Sequence, residues 1–453
     1  MHFDARSVHS LPNDDRWSTL CPELMYEIFT YCLSGNPLHT CFPSLFPWYL
    51  GHICRSWRSV FISSPHFWDR FTFEASVTEA FETNDYLDSP HPIDGYLESF
   101  HAIDSRLKRA LTIVELCLKR TKDQPFSFRF SAQSYDDVAT SYMYRAMKSI
   151  AAHADRWSVA YVEVKGFGGV EQLLLKAKHR FGQLHTLQIS IPLGTSYHLD
   201  LFEDTPNLTR VYTTDYYRLR WSNLTVLHIE ISSRTPVRLF TVFDKMTCLK
   251  ELIIQGLPLQ QGALPVLETP VEIPSLKILY VNHYYPLPLI RAPSLEILHL
   301  GDILPVLRPT AVEMFLRGAS HLRTLSFNID ICNVLDYIHE LDHAIVIGRH
   351  LALAVLVCQR MAHSLKTITI SDPDIFERKR GTKVTLCDIT AIIQHMEKHQ
   401  FPNLRRLSVH VYDDGEEDMS PAIDDLVRLG PYKGFEIDIK FSPPQIMPPF
   451  RDL

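Results

Sequence analysis

The chain has no Cys-x-x-Cys pair. Its nine cysteines are scattered over 453 residues, so zinc-finger ligand spacing and the thioredoxin-type redox pair are both absent. Neither sign of charge dominates: 52 acidic and 45 basic side chains give a formal charge of −7, which excludes a nucleic-acid binder working mainly by phosphate neutralisation. Long hydrophobic runs are missing too. The first residues, MHFDARSVHSLPNDDRW, lack the continuous apolar core of a signal peptide. The most apolar later stretch, AIVIGRHLALAVLVC from Ala344, is interrupted by Arg349 and His350 and is too short to cross a bilayer, so it reads as a buried helix. No phosphate-binding loop and no glycine-flanked nucleophilic serine is visible. Asn207-Leu208-Thr209 and Asn223-Leu224-Thr225 match a glycosylation sequon but read as chance without a secretory leader. The expected setting is a reduced compartment, cytoplasm or nucleus, with neither membrane nor nucleic acid as partner.

Metal chemistry is weakly represented. His339-Glu340-Leu341-Asp342-His343 matches His-Glu-x-x-His, in which two histidines one helical turn apart bind zinc and the glutamate activates water. A third ligand is lacking: Val346 stands where the metzincin continuation needs glycine, and no glutamate follows in reach. The histidines therefore read as incidental residues of a surface helix. His395 and His399 repeat the spacing without a carboxylate beside them, Glu377-Arg378-Lys379-Arg380 reads as a solvated basic loop, and Asp413 to Asp418 as an acidic turn. No cofactor, metal or catalytic residue is expected, and the chain is not read as an enzyme.

What is present is apolar material in two patterns. The composition is 46% hydrophobic and 21% charged, that of a soluble protein with a large core. Residues 1–17 read as a flexible start and 18–72 as a helical module. Pro22 suits the first position of a helix and Glu23 its first turn. Leu24, Ile28 and Cys32 follow at i, i+4, i+8, with Met25, Phe29 and Leu33 one step round, giving a wide apolar stripe. Gly35-Asn36-Pro37 ends this helix, and a long aromatic loop runs from Ser34 to Pro47. A second helical pattern covers Trp48 to Ser63, Pro65 stops it, and Phe67-Trp68 begins a short third element. So small a module cannot bury all these groups against itself, so part of the stripe should face a partner or the next domain.

Residues 73–102 read as a linker, 103–442 as a repeat array and 443–453 as a tail. A helix from Ile103 to Lys119 precedes the alternating strand Phe126–Phe130, and a second helix–strand unit runs from Met143 to Val164. Thereafter Leu-x-x-Leu-x-(Leu/Ile/Val) recurs, as in Leu184-Leu187-Ile189, Leu224-Leu227-Ile229, Leu249-Leu252-Ile254, Leu276-Leu279-Val281, Leu295-Leu298-Leu300 and Leu404-Leu407-Val409. Looser copies begin at Trp157, Leu208, Leu322 and Leu365. Intervals of about 16 to 27 residues, stretching to roughly 40 near the end, are those of leucine-rich repeats, whose strands bury leucines only against neighbours. The position that normally offers Asn or Cys to a buried ladder holds Pro192, Ser232, Leu257, Tyr284, Ile303 and Tyr412, so the array is irregular. The expected fold is therefore a small helical module followed by an uneven, curved α/β stack on one mostly parallel sheet. Residues alternating with the leucines face away from them, and Tyr212, His228, Tyr280, Asn282, His299 and His410 are the candidate target-binding group.

Three blocks in the N-terminal module carry a resemblance. Leu20-Cys21-Pro22-Glu23-Leu24-Met25-Tyr26-Glu27-Ile28-Phe29, Ile53-Cys54-Arg55-Ser56-Trp57-Arg58 and Pro65-His66-Phe67-Trp68 are similar, in order, to the motifs of the large fungal F-box families, over about an eighth of the chain. The first block departs from the family at Cys21, where proline is usual, and the Ser34–Pro47 loop is long. The resemblance implies docking onto a Skp-family adaptor, and through it a cullin-RING ubiquitin ligase, by Leu20, Pro22, Leu24, Ile28, Phe29, Ile53, Cys54, Trp57, Pro65 and Trp68. It implies a substrate receptor whose repeats bind a protein target of unknown identity. An F-box/leucine-rich scaffold with no role in ubiquitination is the alternative.

Overall fold

The computed structural model describes residues 20–33, 37–42, 48–76, 92–133, 137–165, 169–191, 200–214, 216–231, 242–256, 270–282, 286–300, 309–327, 338, 340–347, 364–371, 403–411, 424, 427–428 and 436–441. They fall into two compact units, one of residues 1–208 with 217–220 and the other of 209–216 with 221–453. The ladder positions Pro192, Ser232, Leu257, Tyr284, Ile303 and Tyr412 lie outside the described residues, as do His339, His395, His399, 377–380, 413–418 and both termini.

In the first unit the order is α1 (Pro22–Leu33), β1 (Leu38–His39), a 3-10 turn (Trp48–His52), α2 (Arg55–Ser63), a second 3-10 turn (Pro65–Trp68), β2 (Arg70–Ser76), α3 (Pro92–Arg120), β3 (Phe126–Gln133), α4 (Asp137–Ala151), β4 (Trp157–Lys165), α5 (Val170–Lys176) and β5 (Thr186–Ser190). The strands lie in that order, every pair parallel. Parallel neighbours need a crossover, and α3 and α4 supply it between β2, β3 and β4. Alternation along β2 and β3 sends Phe71, Phe73, Phe126, Phe128 and Phe130 to the same buried side. Register places Phe73 beside Phe130, with rings stacked 5.0 Å apart, and Phe128 meets Trp157 edge-on at 4.7 Å. Gly169, at φ 92, opens α5 in the left-handed region, and a Cβ there would lie 3.2 Å from the Tyr144 ring.

Four expectations change here. The loop from Ser34 to Pro47 contains β1, pinned by the Thr40 amide (2.9 Å) and hydroxyl (2.9 Å), which both donate to the Thr72 carbonyl. The second helix is not continuous from Trp48. It restarts at Arg55 behind Cys54, whose extended backbone and Sγ cap the Trp57 amide. Residues 73–102 are not simply a linker, since β2 runs to Ser76 and α3 begins at Pro92. The helical module also belongs to the same compact unit as the first strands.

The second unit contains β6 (Arg210–Thr213), β7 (Val226–Ile231), β8 (Glu251–Gly256), β9 (Val271–Glu272), β10 (Ile278–Val281), β11 (Ile290–Arg291), β12 (Ile297–Leu300), α6 (Pro309–Arg317), β13 (Thr324–Phe327), β14 (His343–Ile347), β15 (Thr367–Ser371), β16 (Arg406–Val411) and β17 (Glu436–Phe441). All but β9 and β11 form one parallel ladder in chain order, while β9 and β11 pair with each other apart from it. The leucine phrases sit at successive rungs: Leu227, Leu252, Leu279, Leu298 and Leu325 are in register and fully buried. The residue after each phrase's first leucine repeats one bond, its amide donating to its counterpart one strand back. Lys250 bonds to Thr225, Lys277 to Lys250, Glu296 to Lys277, Arg323 to Glu296, Asp342 to Arg323, Lys366 to Asp342 and Arg405 to Lys366, at 2.8–2.9 Å.

That series exposes a copy the sequence pattern conceals. Leu341-Asp342-His343-Ala344-Ile345-Val346 is a repeat phrase with alanine at the second leucine, and it splits the 43-residue interval from Leu322 to Leu365 into 19 and 24. The run from Ala344 is thus strand through Ile347 rather than buried helix, and His343 opens β14 rather than closing a helical turn.

Because Leu279 has no exposed surface and neighbours on both sides, Leu279→Ala should cost about 2–5 kcal/mol in chemical denaturation followed by circular dichroism. Lys277→Ala, which removes a solvent-screened, half-exposed ion pair with Glu296, should leave the denaturation midpoint almost unchanged.

Candidate functional site

The N-terminal module is built around aromatic rings. Phe29 of α1 lies edge-on to Trp57 (5.0 Å), Phe67 (5.5 Å) and Phe61 (6.0 Å), and all four are buried. Trp68 donates its indole N–H to the Phe61 carbonyl at 2.9 Å, is met edge-on by Trp48, and lies under the Arg120 guanidinium at 4.1 Å. The positions that the resemblance singles out therefore divide. Phe29, Trp57 and Trp68 form the module's interior. Leu20, Ile28, Cys54 and Pro65 are half-buried, Pro22 is exposed, and Leu24 and Ile53 expose 53% and 48% of their surface.

Helix α1 thus carries two neighbouring apolar stripes with different fates. Met25 and Phe29 point inward with no exposed surface, whereas Leu24, Ile28 and Tyr31, at i, i+4, i+7, share the other. Tyr31, 86% exposed, is the most open large hydrophobic side chain among the described residues. Sequence reasoning passed over it because the motif does not include it, although its helical spacing from Leu24 was visible. Tyr49 and Ile62 are further exposed apolar groups of the module. Behind α2, Asp69 accepts from His66 Nδ1 at 3.0 Å, and burial pushes its carboxyl above the usual range against that pairing.

In the second unit, register aligns Tyr212, His228, Ile253, Tyr280 and His299 in one row on the side opposite the leucines. Asn282 and His410 belong to the next row along, on or just beyond β10 and on β16, and are not neighbours. Exposure is lower than an open face implies. Tyr212 is buried, His228, Tyr280, Asn282 and His299 are intermediate, and the side chain of His410 lies outside the described residues. Three strands are linked by polar contacts: the Arg210 guanidinium donates to the Tyr212 hydroxyl (3.2 Å), the Tyr212 ring stands edge-on to His228 (4.4 Å), and His228 Nε2 bonds Glu251 Oε1 (2.9 Å). The His228 bond holds the Glu251 carboxyl below its usual range. Among the described residues of this unit four buried side-chain atoms have no hydrogen-bond partner, Arg210 Nε, Asn282 Oδ1, His299 Nδ1 and Arg406 Nε.

Among the described residues no group of three or more His, Cys, Asp or Glu is placed to hold a metal, and no helix is long and apolar enough to cross a membrane. The described cysteines are unbridged, and burial pushes the Cys41 thiol up to about 11.

The class these features define is a repeat-like α/β stack of parallel strands, led by a small helical module. No protein-family model and no curated protein matches the chain. A solved Bacteroides fragilis protein, a structural-genomics target, is similar over 76% of this chain and 85% of its own at 13% identity, with a TM-score of 0.31, a value that carries no argument about fold or function.

Burial holds the His299 ring below its ordinary pKa, with the Glu251 charge opposing the shift. The unfolded chain therefore takes up a proton that the folded chain refuses. The ring's contribution to stability is complete above about pH 6.5 and is lost as pH falls through the lower folded value. His299→Gln should accordingly flatten the decline in melting temperature between about pH 7 and about pH 5; an unchanged slope would contradict this.

Proposed function

We propose that the chain is the target-recognition subunit of a Skp–cullin–F-box ubiquitin ligase. The N-terminal helices dock the Skp adaptor and the strand array receives a protein target. In this reading the chain has no catalytic centre of its own and uses no cofactor. It acts by proximity, holding the target beside a charged conjugating enzyme so that transfer becomes effectively unimolecular. It works in cytoplasm or nucleus.

The observation that supports this reading best is the pair of stripes on α1. One apolar stripe is fully used by the interior, and on a second, Leu24-Ile28-Tyr31, the leucine and tyrosine are left more than half open beside a half-buried Ile28, on a helix whose sequence resembles the F-box docking helix. Helix-in-groove docking uses such anchors, and a few of them dominate the energy. Phe29, Trp57 and Trp68 contribute from behind, by fixing the angle at which Leu24 and Ile53 are presented.

Affinity purification of the full chain from cells should recover the adaptor and a cullin, and Leu24→Asp should abolish both while changing folding stability by no more than about 0.5 kcal/mol. Phe29→Asp should instead unfold the module, since it buries a charge without a partner. Undiminished recovery with Leu24→Asp would sink adaptor docking on this stripe. Recovery of the adaptor without a cullin would favour the scaffold reading, in which nothing is ubiquitinated.

A further inference from the structure

The first unit holds a cleft of about 220 Å³ at the carboxyl ends of β2, β3 and β4, walled by Phe42, Glu74, Arg106, Arg129, Glu163 and Lys165. Carboxyl ends of parallel strands are where open α/β sheets receive ligands, because side chains from separate strands and the loops beyond them converge there. Register sets Glu74 and Glu163 on either side of Ser131, and Arg129 beside Tyr161. Phe42 arrives from the segment after β1 and Arg106 from α3.

The charges in this cleft do not balance. Glu74 Oε1 lies 3.1 Å from Arg129 Nε. Glu163 takes the Lys165 ammonium at 2.8 Å and the Tyr161 hydroxyl at 3.0 Å; burial works against its charge, but these bonds hold its carboxyl below the usual range. Three basic side chains face two acidic ones, and the surplus sits on Arg106. Among the described residues no carboxylate pairs with that guanidinium, which lies 5.4 Å from the centre of the Phe42 ring. Its Nε is sealed from solvent without an acceptor, and Arg129 Nε, though close to Glu74, lacks the alignment of a hydrogen bond. Buried donors left unpaired are rare in folded proteins and mark a place where an acceptor is missing.

We propose that this cleft binds a carboxylate monoanion, with Arg106 as the principal cation and Phe42 covering the carbon chain that bears it. A guanidinium holds a carboxylate through two parallel N–H···O bonds. One surplus positive charge suits a monoanion better than a phosphate dianion. The carboxylate comes either from the C-terminus of a polypeptide or from an Asp or Glu side chain. The site does not depend on adaptor docking and stands whether or not the chain enters a ligase.

The full chain, treated with phenylglyoxal and mapped by peptide mass spectrometry, reports how fast Arg106 is modified. The probes are N-acetyl-alanine for a terminal carboxylate, N-acetyl-glutamate α-amide for a side-chain carboxylate, neutral N-acetyl-glutamine amide, and inorganic phosphate at matched ionic strength. One or both carboxylates should slow modification of Arg106 about fivefold and leave the exposed Arg317 unaffected, the better protector identifying the source. Protection by phosphate alone, equal protection by the neutral amide, or none from any probe would overturn the proposal. Arg106→Lys keeps the charge and loses the fork, so calorimetric affinity for the protecting carboxylate should fall about tenfold; unchanged affinity would also overturn it.

Discussion

Everything in this protein depends on strands too short to bury their own apolar side chains. β10, β12 and β13 each span four residues, and none has a core without its neighbours. Leu279 is covered by Leu252 on one side and Leu298 on the other, and the amide entering each strand bonds to the carbonyl entering the one before. Stability in such an array is a sum over nearest-neighbour interfaces, which frees the return segments to vary. The interval from Leu276 to Leu295 is 19 residues and that from Leu295 to Leu322 is 27, yet the register does not slip. In the first unit, phenylalanines do the same work: Phe71, Phe73, Phe128 and Phe130 fill the positions that leucines take later.

The aromatic cluster of the N-terminal module separates recognisability from contact. Phe29, Trp57 and Trp68 make the motif visible because the module cannot hold its shape without them, and for the same reason they are inside. The apolar surface left open belongs to residues outside that interior, Leu24, Ile28, Tyr31 and Ile53, and under the proposed function these meet the partner. β1 ties this presentation to the sheet, since Thr40 is bonded twice to Thr72 and Trp48 donates its indole N–H to the His39 carbonyl at 2.8 Å. A substitution in the cluster would therefore disturb the fold and the proposed docking together, whereas one at Leu24 separates them.

What the sequence made legible follows periodicity. The leucine phrases mark β5 to β8, β10, β12, β13, β15 and β16, alternation marks β3, and Pro22 marks the start of α1. β14 was hidden because a continuous apolar run has no period by which to tell helix from strand, and Ala344 removes the leucine that would have decided it. The front of α3 was hidden for the opposite reason: its first turns, from Pro92, carry too weak an apolar stripe to read as helix. Periodicity also gives the side a residue faces and not its exposure. Tyr212 lies on the face expected of it and is buried there. The charged cleft was beyond reach of pattern, because Glu74 and Lys165 come from strands aligned only by the sheet's register and Arg106 from the helix α3.

The two units differ in what their polar residues have left to offer. A polar side chain whose hydrogen bonds are already satisfied inside the protein gains little from a partner, while an unsatisfied one gains the full bond. In the second unit the Tyr212, His228 and Glu251 contacts are mutual, so the tyrosines and histidines that first attract attention there are largely engaged with each other. Among the described residues of that unit, the buried atoms still lacking a partner are Arg210 Nε and Arg406 Nε, at the starts of β6 and β16, and Asn282 Oδ1 and His299 Nδ1, near the carboxyl ends of β10 and β12. In the first unit such atoms include Arg106 Nε and Arg129 Nε, both in the wall of the cleft at the carboxyl side of β2, β3 and β4. Where unmet hydrogen bonds gather in one cleft, as at Arg106 and Arg129, they locate binding capacity better than residue type does, because a polar group already bonded inside the protein has little left to offer.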